Sequence, residues 1–419
     1  MYGVESSQDT GAFSADWGAV AKPATMASVS HDVVDSVSGL EEIESQWEDL
    51  FGACGHITPS MSWEWNYHWW RHYGEGHEMQ VHLVRGDGGA PLGIVPFMLR
   101  RSHWPRSREL CCFSDFRGSG YLEPLLRNGC ERACLHELCE GLSRQDGWDR
   151  LRFSRFRAST PSVWAFCREA AASGLRGEAT TRAWGAYARL PHTFEAYLAG
   201  LSRNCRGRSR GILNRIAKQH HMCFRTAETE AEVVEGISWM IRQKRERMHR
   251  LGRWTWLDDP RYLPFLQDYT VAAFRKDRLR LYLLQLDDNI AACMLVLPAG
   301  NTAVFDADAY DEKYAAEKVT DAVQLLSSRA CIEAGFQIMD LGQALQPHKT
   351  HYAKEREAVI EMEFYRNQLH SLVFEAASHL AAPLWHVSRN LLPGKLKAAI
   401  VHRVKRDAVP RTRPEEPCG

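Results

Sequence analysis

Apolar and polar positions fall into two repeated series along the chain. In the first, "MQVHLVRGDGGAPLGIVPFMLRR" carries two apolar runs on either side of Gly86, Asp87, Gly88 and Gly89, the pattern of a β-hairpin. Ahead of it, Leu40 to Phe51 has helical spacing, and the Trp and Tyr spacing of "SWEWNYHWWRHY", from Ser62 to Tyr73, predicts a helix packed on a sheet. After a loop and Tyr121, residues Cys130 to Ser143 suit a helix and Arg150 to Phe156 a strand. The order then returns. "RLYLLQLDDNIAACMLVLP" predicts a hairpin turning at Asp288 and Asn289, and "TAVFDADAY" a further strand. Residues 318–334 have the apolar stripe of a helix, Gln337 to Leu341 read as a strand, and Ala358 to Tyr365 as a closing strand. Residues 193–275, between the two series, read as helical. Two units sharing the plan hairpin, strand, helix, strand predict a duplicated α/β (α+β) protein, each half a mixed sheet flanked by helices.

Composition sets the limits of this plan. The first 28 residues, rich in Ser, Ala, Gly and Thr without periodicity, read as a disordered tail. The halves are expected at 29–185 and 186–370, followed by a basic tail at 371–419. Within that tail, residues 384–406 predict a basic helix that packs through Leu391, Leu396 and Ile400, or else makes a weak contact with an anionic membrane surface. At 419 residues and 45% hydrophobic content the chain can bury a large core. Its twelve cysteines are scattered, unlike a disulfide framework, and Glu5, Asp9 and Asp16 stand where a signal peptide would be basic and apolar, so the expectation is a cytoplasmic protein with reduced thiols. The longest apolar run, Ile290 to Pro298, is far short of a membrane span. Net charge is zero, yet Arg203, Arg206, Arg208, Arg210, Arg215 and Lys218 form one basic cluster, and Arg242 to Arg253 a second. Each is either a solvated helix face or a surface for a phosphate-rich partner.

"DLGQALQPHKTHY", residues 340–352, is the segment richest in candidate chemistry. It hands a strand over to Pro347, His348, Lys349, His351 and Tyr352, which can be read as a metal site, a basic clamp or an ordinary loop. Metal is disfavoured: His348 and His351 lack an acidic or cysteine partner nearby. Cys130, Cys134, His136 and Cys139 have the spacing of a helix with buried thiols, not of zinc knuckles. No metal is expected.

Three stretches, "LSRNCRGRSRGILNRI", "YDEKYAAEKV" and "DLGQALQPHKTHY", resemble the GNAT-like acetyltransferase domain of the cellulose-biosynthesis CelD/BcsL (BioF2-like) type, a relative of the Fem aminoacyltransferases in which two GNAT-like halves are fused. The resemblance runs with gaps from about Trp47 to Arg366. Asp340, Gly342, Pro347, Lys349 and Tyr352 fall on its signature, His348 stands where Tyr is usual, and Ala315-Ala316-Glu317 where the family has Ser-Pro-Gly. The resemblance implies acyl-CoA (acetyl-CoA or longer) as co-substrate, with its pyrophosphate at a helix start formed by Tyr314, Ala315, Ala316, Lys318 and Val319, assisted by Arg206 and Arg210. In acyl transfer, Asp340 can orient or deprotonate the acceptor, or simply cap the following turn. Lys349 can offset the oxyanion or hold a donor phosphate, and Tyr310 or Tyr352 can protonate the leaving group. All four are expected in one cleft between the halves. The leading reading is N- or O-acyl transfer to a small-molecule, sugar or envelope precursor, as in polysaccharide biosynthesis. The alternatives are a Fem-like transferase using aminoacyl-tRNA, gripped by the basic clusters, and a non-catalytic GNAT-like binding protein.

Overall fold

The computed structural model describes residues 12–13, 29–103, 106–115, 120–253, 255–343 and 345–366. The expected basic tail lies outside these residues, as does the expected N-terminal tail apart from Ala12 and Phe13. The first half comprises β1 (Ala12–Phe13), β2 (Ser30–Val34), α1 (Val37–Glu42), α2 (Glu44–Ala53), α3 (Trp63–Tyr73), β3 (Glu78–Arg85), β4 (Pro91–His103), β5 (Arg106–Cys112), β6 (Leu125–Leu126), α4 (Glu131–Arg144), β7 (Arg150–Arg157), α5 (Pro161–Ala172) and β8 (Arg176–Arg189). The second comprises α6 (Phe194–Gly200), α7 (Arg203–Gln219), β9 (Met222–Thr226), α8 (Glu230–Arg250), α9 (Tyr262–Arg275), β10 (Arg280–Leu286), β11 (Asn289–Ala299), β12 (Thr302–Tyr310), α10 (Val319–Glu333), β13 (Ile338–Gln343), α11 (Pro347–Tyr352) and β14 (Glu355–Tyr365).

All strands belong to one mixed sheet ordered β2-β3-β4-β5-β7-β14-β8-β13-β12-β11-β10-β9, with β1 paired to β8 and β6 to β4. The two ends of this order mirror each other. The series β2-β3-β4-β5-β7 is matched by β9-β10-β11-β12-β13, and each contains one parallel pair, β5 with β7 and β12 with β13. The halves also trade their last strands. β14, from the second half, pairs antiparallel with β7, while β8, from the first, pairs antiparallel with β13, and β8 and β14 pair with each other along eleven residues from Glu355↔Tyr187 to Tyr365↔Arg176. Neither half's sheet is complete without the other.

Alternation along the strands sends successive side chains to opposite faces. In β10, Leu281 and Leu283 join a core formed with α2, α3, α8 and α9, whereas Tyr282, Leu284 and Leu286 join one formed with α6, α7 and α10. The first core is shared by the halves, with Trp65 of α3 edge-on to Phe265 and Tyr269 of α9 at 5.2 and 4.8 Å. Beside it an ion cluster joins the halves. Glu64, fully buried, accepts from Arg278 at 3.0 and 3.1 Å, and the partly buried Lys276 and Arg278 also reach Glu48. A third core lies under α4 and α5 of the first half, and takes in Cys134 and Cys139 as the helical spacing predicts.

The structure corrects several boundaries. The helix expected over Leu40 to Phe51 is two helices broken at Ile43, the first capped by the Ser36 hydroxyl, which accepts the Gly39 N–H at 3.2 Å. The loop before Tyr121 contains β5, and the loop after Gly342 contains the short helix α11. Among the described residues no helix is long and apolar enough to cross a membrane.

Candidate active site

The parallel pairing of β12 and β13 runs through Thr302↔Ile338 and Ala303↔Met339 and stops at Val304↔Asp340. Beyond it the strands part. Two irregularities hold them apart. On β12 the partners of Val296 and Leu295 are Phe305 and Ala307, so Asp306 is an extra, bulged residue taken out of register, which is how strands re-aim a side chain. On β13 the pairing with β8 jumps from Asp340↔Tyr187 to Gln343↔Gly185, and Gly342 turns the chain with φ +70°, a conformation that costs glycine little.

A cavity of about 260 Å³ occupies this gap. The second half supplies Leu297, Val304, Phe305, Asp306, Leu341, Gly342, Gln343 and Lys349, and the first half closes it with Thr58, Pro59, Ser60, Trp65, Gly120 and Tyr121. Among the described residues, the corresponding gap in the first half is bridged by side chains. There the pairing of β5 with β7 ends at Cys111↔Arg152, and Asp115 beyond it accepts from Arg152 and Ser154 while Arg155 donates to the Ser114 carbonyl at 3.0 Å.

Charge in the open gap is arranged around Lys349. Its Nζ donates to the Gln343 carbonyl at 2.7 Å, and burial holds its pKa below the ordinary lysine value, against the pull of Asp340, Asp308 and Asp306. Asp306 is exposed and lines this cavity; crowding by the surrounding protein pushes its pKa up to about 6, with Lys244 and Lys349 acting in the opposite direction. Asp340 is buried, and burial raises its pKa, countered by the Gly342 N–H that its Oδ1 accepts at 2.7 Å and by Arg157 and Lys349. Asp340 therefore does cap the turn at Gly342, and it stands behind the cavity wall that Leu341 to Gln343 form.

The other expected residues lie elsewhere. Tyr352 is buried in the second half's own core, its hydroxyl donating to Asp321 Oδ1 at 2.7 Å, and Tyr310 lies under the Arg247 guanidinium at 5.0 Å; among the described residues neither lines the cavity. At the expected pyrophosphate site, residues Glu312–Glu317 form a 3-10 turn and Lys318, in the left-handed region at φ 59°, caps α10. Ala315, Ala316 and Lys318 are exposed there, but Tyr314 and Val319 are core residues. Arg206 and Arg210 face away and serve α6, through the Ala199 carbonyl at 3.0 Å and Glu195 at 2.8 Å. The arginines at the start of α10 are Arg208, which pairs with Asp321 at 2.7 Å, and Arg215, which donates to the Glu317 carbonyl at 3.1 Å. Helical spacing carries the signal for this choice, since 208 and 215 flank the buried Ile212 at four and three residues. Asp306 was concealed by its ordinary alternating strand, and Tyr121 by its distance along the chain.

Glu109, Cys111 and Asp115 are the one group of potential metal ligands close together among the described residues, and arginines already occupy the carboxylates, Arg100 at 2.5 Å and Arg150 at 3.0 Å from Glu109 and Arg152 on Asp115.

Residues 203–350 match the acetyltransferase (GNAT) domain family. No curated protein matches the chain. Among solved structures, it resembles FemX at 9% identity and a TM-score of 0.55, over 80% of this chain and 98% of the other. It also resembles the C-terminal domain of a putative lysylphosphatidylglycerol synthetase from Agrobacterium fabrum, at 13% identity and a TM-score of 0.51 over 83% and 97% of the two chains. L-PGS from Bacillus licheniformis gives 13% and 0.50 over 80% and 96%. At such identities the likeness is one of fold. The chain is a mixed α/β protein of GNAT-like fold, and its open strand gap lies within the segment that carries the acetyltransferase (GNAT) match.

Proposed function

We propose that the chain is an acyltransferase that moves an acyl group from acyl-CoA to an amine or hydroxyl of a small-molecule, sugar or envelope precursor, in the gap between β12 and β13. The observation that carries this reading is the contrast between the two gaps among the described residues: the one inside the GNAT-matching segment opens on a cavity, and its counterpart is bridged by Asp115 with Arg152 and Ser154. The start of α10, whose N-cap residue Lys318 makes no side-chain cap bond, with Arg208 and Arg215 beside it, suits the donor's pyrophosphate, and Lys318 adds charge. Asp306 is poised to take the acceptor's proton near neutral pH, and Lys349 to offset charge on the acyl oxygen. In this reading residues 29–185 and 186–370 are two units of one enzyme, the first walling the site of the second. A CelD/BcsL-type role in polysaccharide biosynthesis is the finer form of the proposal, supported by Asp340, Gly342, Pro347, Lys349 and Tyr352 on that signature.

The second reading is transfer from aminoacyl-tRNA. Its support is the fold likeness to FemX together with Arg203, Lys218, Arg242, Arg245 and Arg253, cations without a partner among the described residues. The likeness to the lysylphosphatidylglycerol synthetases makes phosphatidylglycerol an acceptor to try in that case. Thermal-shift assays with acetyl-CoA, longer acyl-CoAs and charged tRNA in separate wells distinguish the readings, because a ligand at 100 times its Kd adds about 2.7 kcal/mol of stability. A shift with an acyl-CoA and none with tRNA is expected. A shift with charged tRNA alone reverses the order of the two readings, and no shift with any donor favours a non-catalytic binding protein.

A further inference from the structure

Tyr121 reaches the second half's gap from the first half, and three contacts fix it there. Its carbonyl accepts from the hydroxyls of Thr58, at 3.1 Å, and Ser60; its ring lies under the Arg157 guanidinium at 5.3 Å; and its hydroxyl rests against Gly185 of β8, where even a methyl group would come within 2.4 Å of the oxygen. Arg157 is itself held by a two-pronged pair with the buried Glu123, at 3.0 and 2.8 Å, so the clamp is rigid. A clamped side chain of this kind ordinarily spends its polar atom on a protein partner. Tyr121 does not: its hydroxyl donates to no group among the described residues, and the residue lines the cavity.

We infer that the Tyr121 hydroxyl is a substrate hydrogen-bond donor of this cavity, supplied by the first half, and that it donates to the carbonyl oxygen of the acyl group bound between β12 and β13. This rests on the acyl-CoA reading. Burial and the nearby Asp340 carboxylate raise the phenol's pKa well above its usual range, so the hydroxyl keeps its proton at any working pH and acts as a neutral donor. The first half then has a use in this site: through Tyr121 it completes the second half's cavity.

The test is calorimetric titration of the whole chain with acetyl-CoA and, separately, with CoA, which lacks the acyl oxygen. Tyr121→Phe removes only the hydroxyl, and its melting temperature should match the wild type because no protein partner is lost. Acetyl-CoA affinity should fall about 3- to 10-fold, the range for one neutral hydrogen bond, while CoA affinity stays within about twofold. Gly185→Ala, which pushes a methyl into the hydroxyl's place, should reproduce the selective loss. Unchanged acetyl-CoA affinity in Tyr121→Phe, or an equal fall for both ligands, overturns the inference and leaves the acyl-CoA reading standing. A wild type that binds neither ligand overturns both.

Discussion

Asp340 stands opposite Val304 in the last parallel pair between β12 and β13, and the cavity lies where the strands part beyond that pair. Splayed strands offer a flat ligand a slot between two backbones, with bulges and turns to re-aim side chains into it. Here the bulge delivers Asp306 and the glycine turn lets Lys349 fold back over the opening.

Asp306 should set the acid limb of the pH profile. As a base it must be ionised, so with a pKa of about 6 the rate of acyl transfer should rise with pH through that value and level off above it. Asp306→Asn should lose the limb together with most of the rate. Initial rates of CoA release between pH 5 and 8 check this, and an unchanged limb in the variant assigns the base elsewhere.

Lys349→Ala should lower the catalytic constant by roughly 100-fold, in line with the loss of one oxyanion donor. The fold should survive, because the lost contact is a single hydrogen bond to the Gln343 carbonyl, worth about 1.5 kcal/mol at most if water replaces it. Asp340→Asn keeps an acceptor for the Gly342 N–H and removes the charge. Near wild-type activity in that variant would make Asp340 a turn cap, and a loss like that of Lys349→Ala would make it part of the chemistry.

Arg208 and Arg215, not Arg206 and Arg210, should matter to the donor. Arg208→Ala or Arg215→Ala should weaken acetyl-CoA binding about tenfold, as befits a charged hydrogen bond, with Arg206→Ala and Arg210→Ala within about twofold of wild type. Equilibrium dialysis of the four variants decides it.

The pair of His31 and His82 makes folding sensitive to acid. His82 is fully buried, its Nδ1 2.9 Å from His31 Nε2, and burial pushes its pKa down to about 3. Below pH 6.5 the unfolded chain binds a proton that the folded one refuses, so this contribution to stability is intact above 6.5 and declines by up to about 1.4 kcal/mol per pH unit as pH falls toward 3. His31, whose pKa burial also lowers against Glu137 and Asp32 and with Arg144, adds to the same trend. His82→Gln should flatten the decline in urea midpoints between pH 6.5 and 4.5 relative to wild type.

The junction of the halves should be sensitive at Arg278. Arg278→Met leaves Glu64 charged and fully buried with only Lys276 near it, at 3.5 Å, and should cost about 3–5 kcal/mol, whereas adding Glu64→Leu should restore much of the loss. Chemical denaturation of the two variants measures both steps.

Much of this fold was legible because the second half writes its elements as clean runs: "RLYLLQL", "TAVFDADAY" and the stripe of α10 each stand within a residue or two of where the pattern puts them. β5 was not, because "RSRELCC" is charged where a buried strand should be apolar, and the charges find partners only in space, Glu109 with Arg100 of β4 and Arg150 of β7, and Arg108 with Glu78 of β3. Nor was the exchange of β8 and β14, since strand order depends on contacts between residues more than 150 apart, which local pattern does not encode. At the site, Lys349 and Asp340 were visible as a charged segment at a strand end. The place of Tyr352 in a one-turn helix, aimed at Asp321, is not readable from the segment, and the bulge that turns Asp306 toward the cavity has no sequence signature in "FDADAY".

The central claim is that donor binds in the second half's strand gap, and hydrogen exchange of the whole chain with and without saturating acetyl-CoA tests it most directly. The account predicts slowed exchange at residues 304–307, 315–322 and 341–343, and no change at 110–115 and 150–155, where Asp115 bridges to Arg152 and Ser154 across the matching gap. Protection confined to the first half, or to the basic faces of α7 and α8 with the gap unchanged, would contradict it.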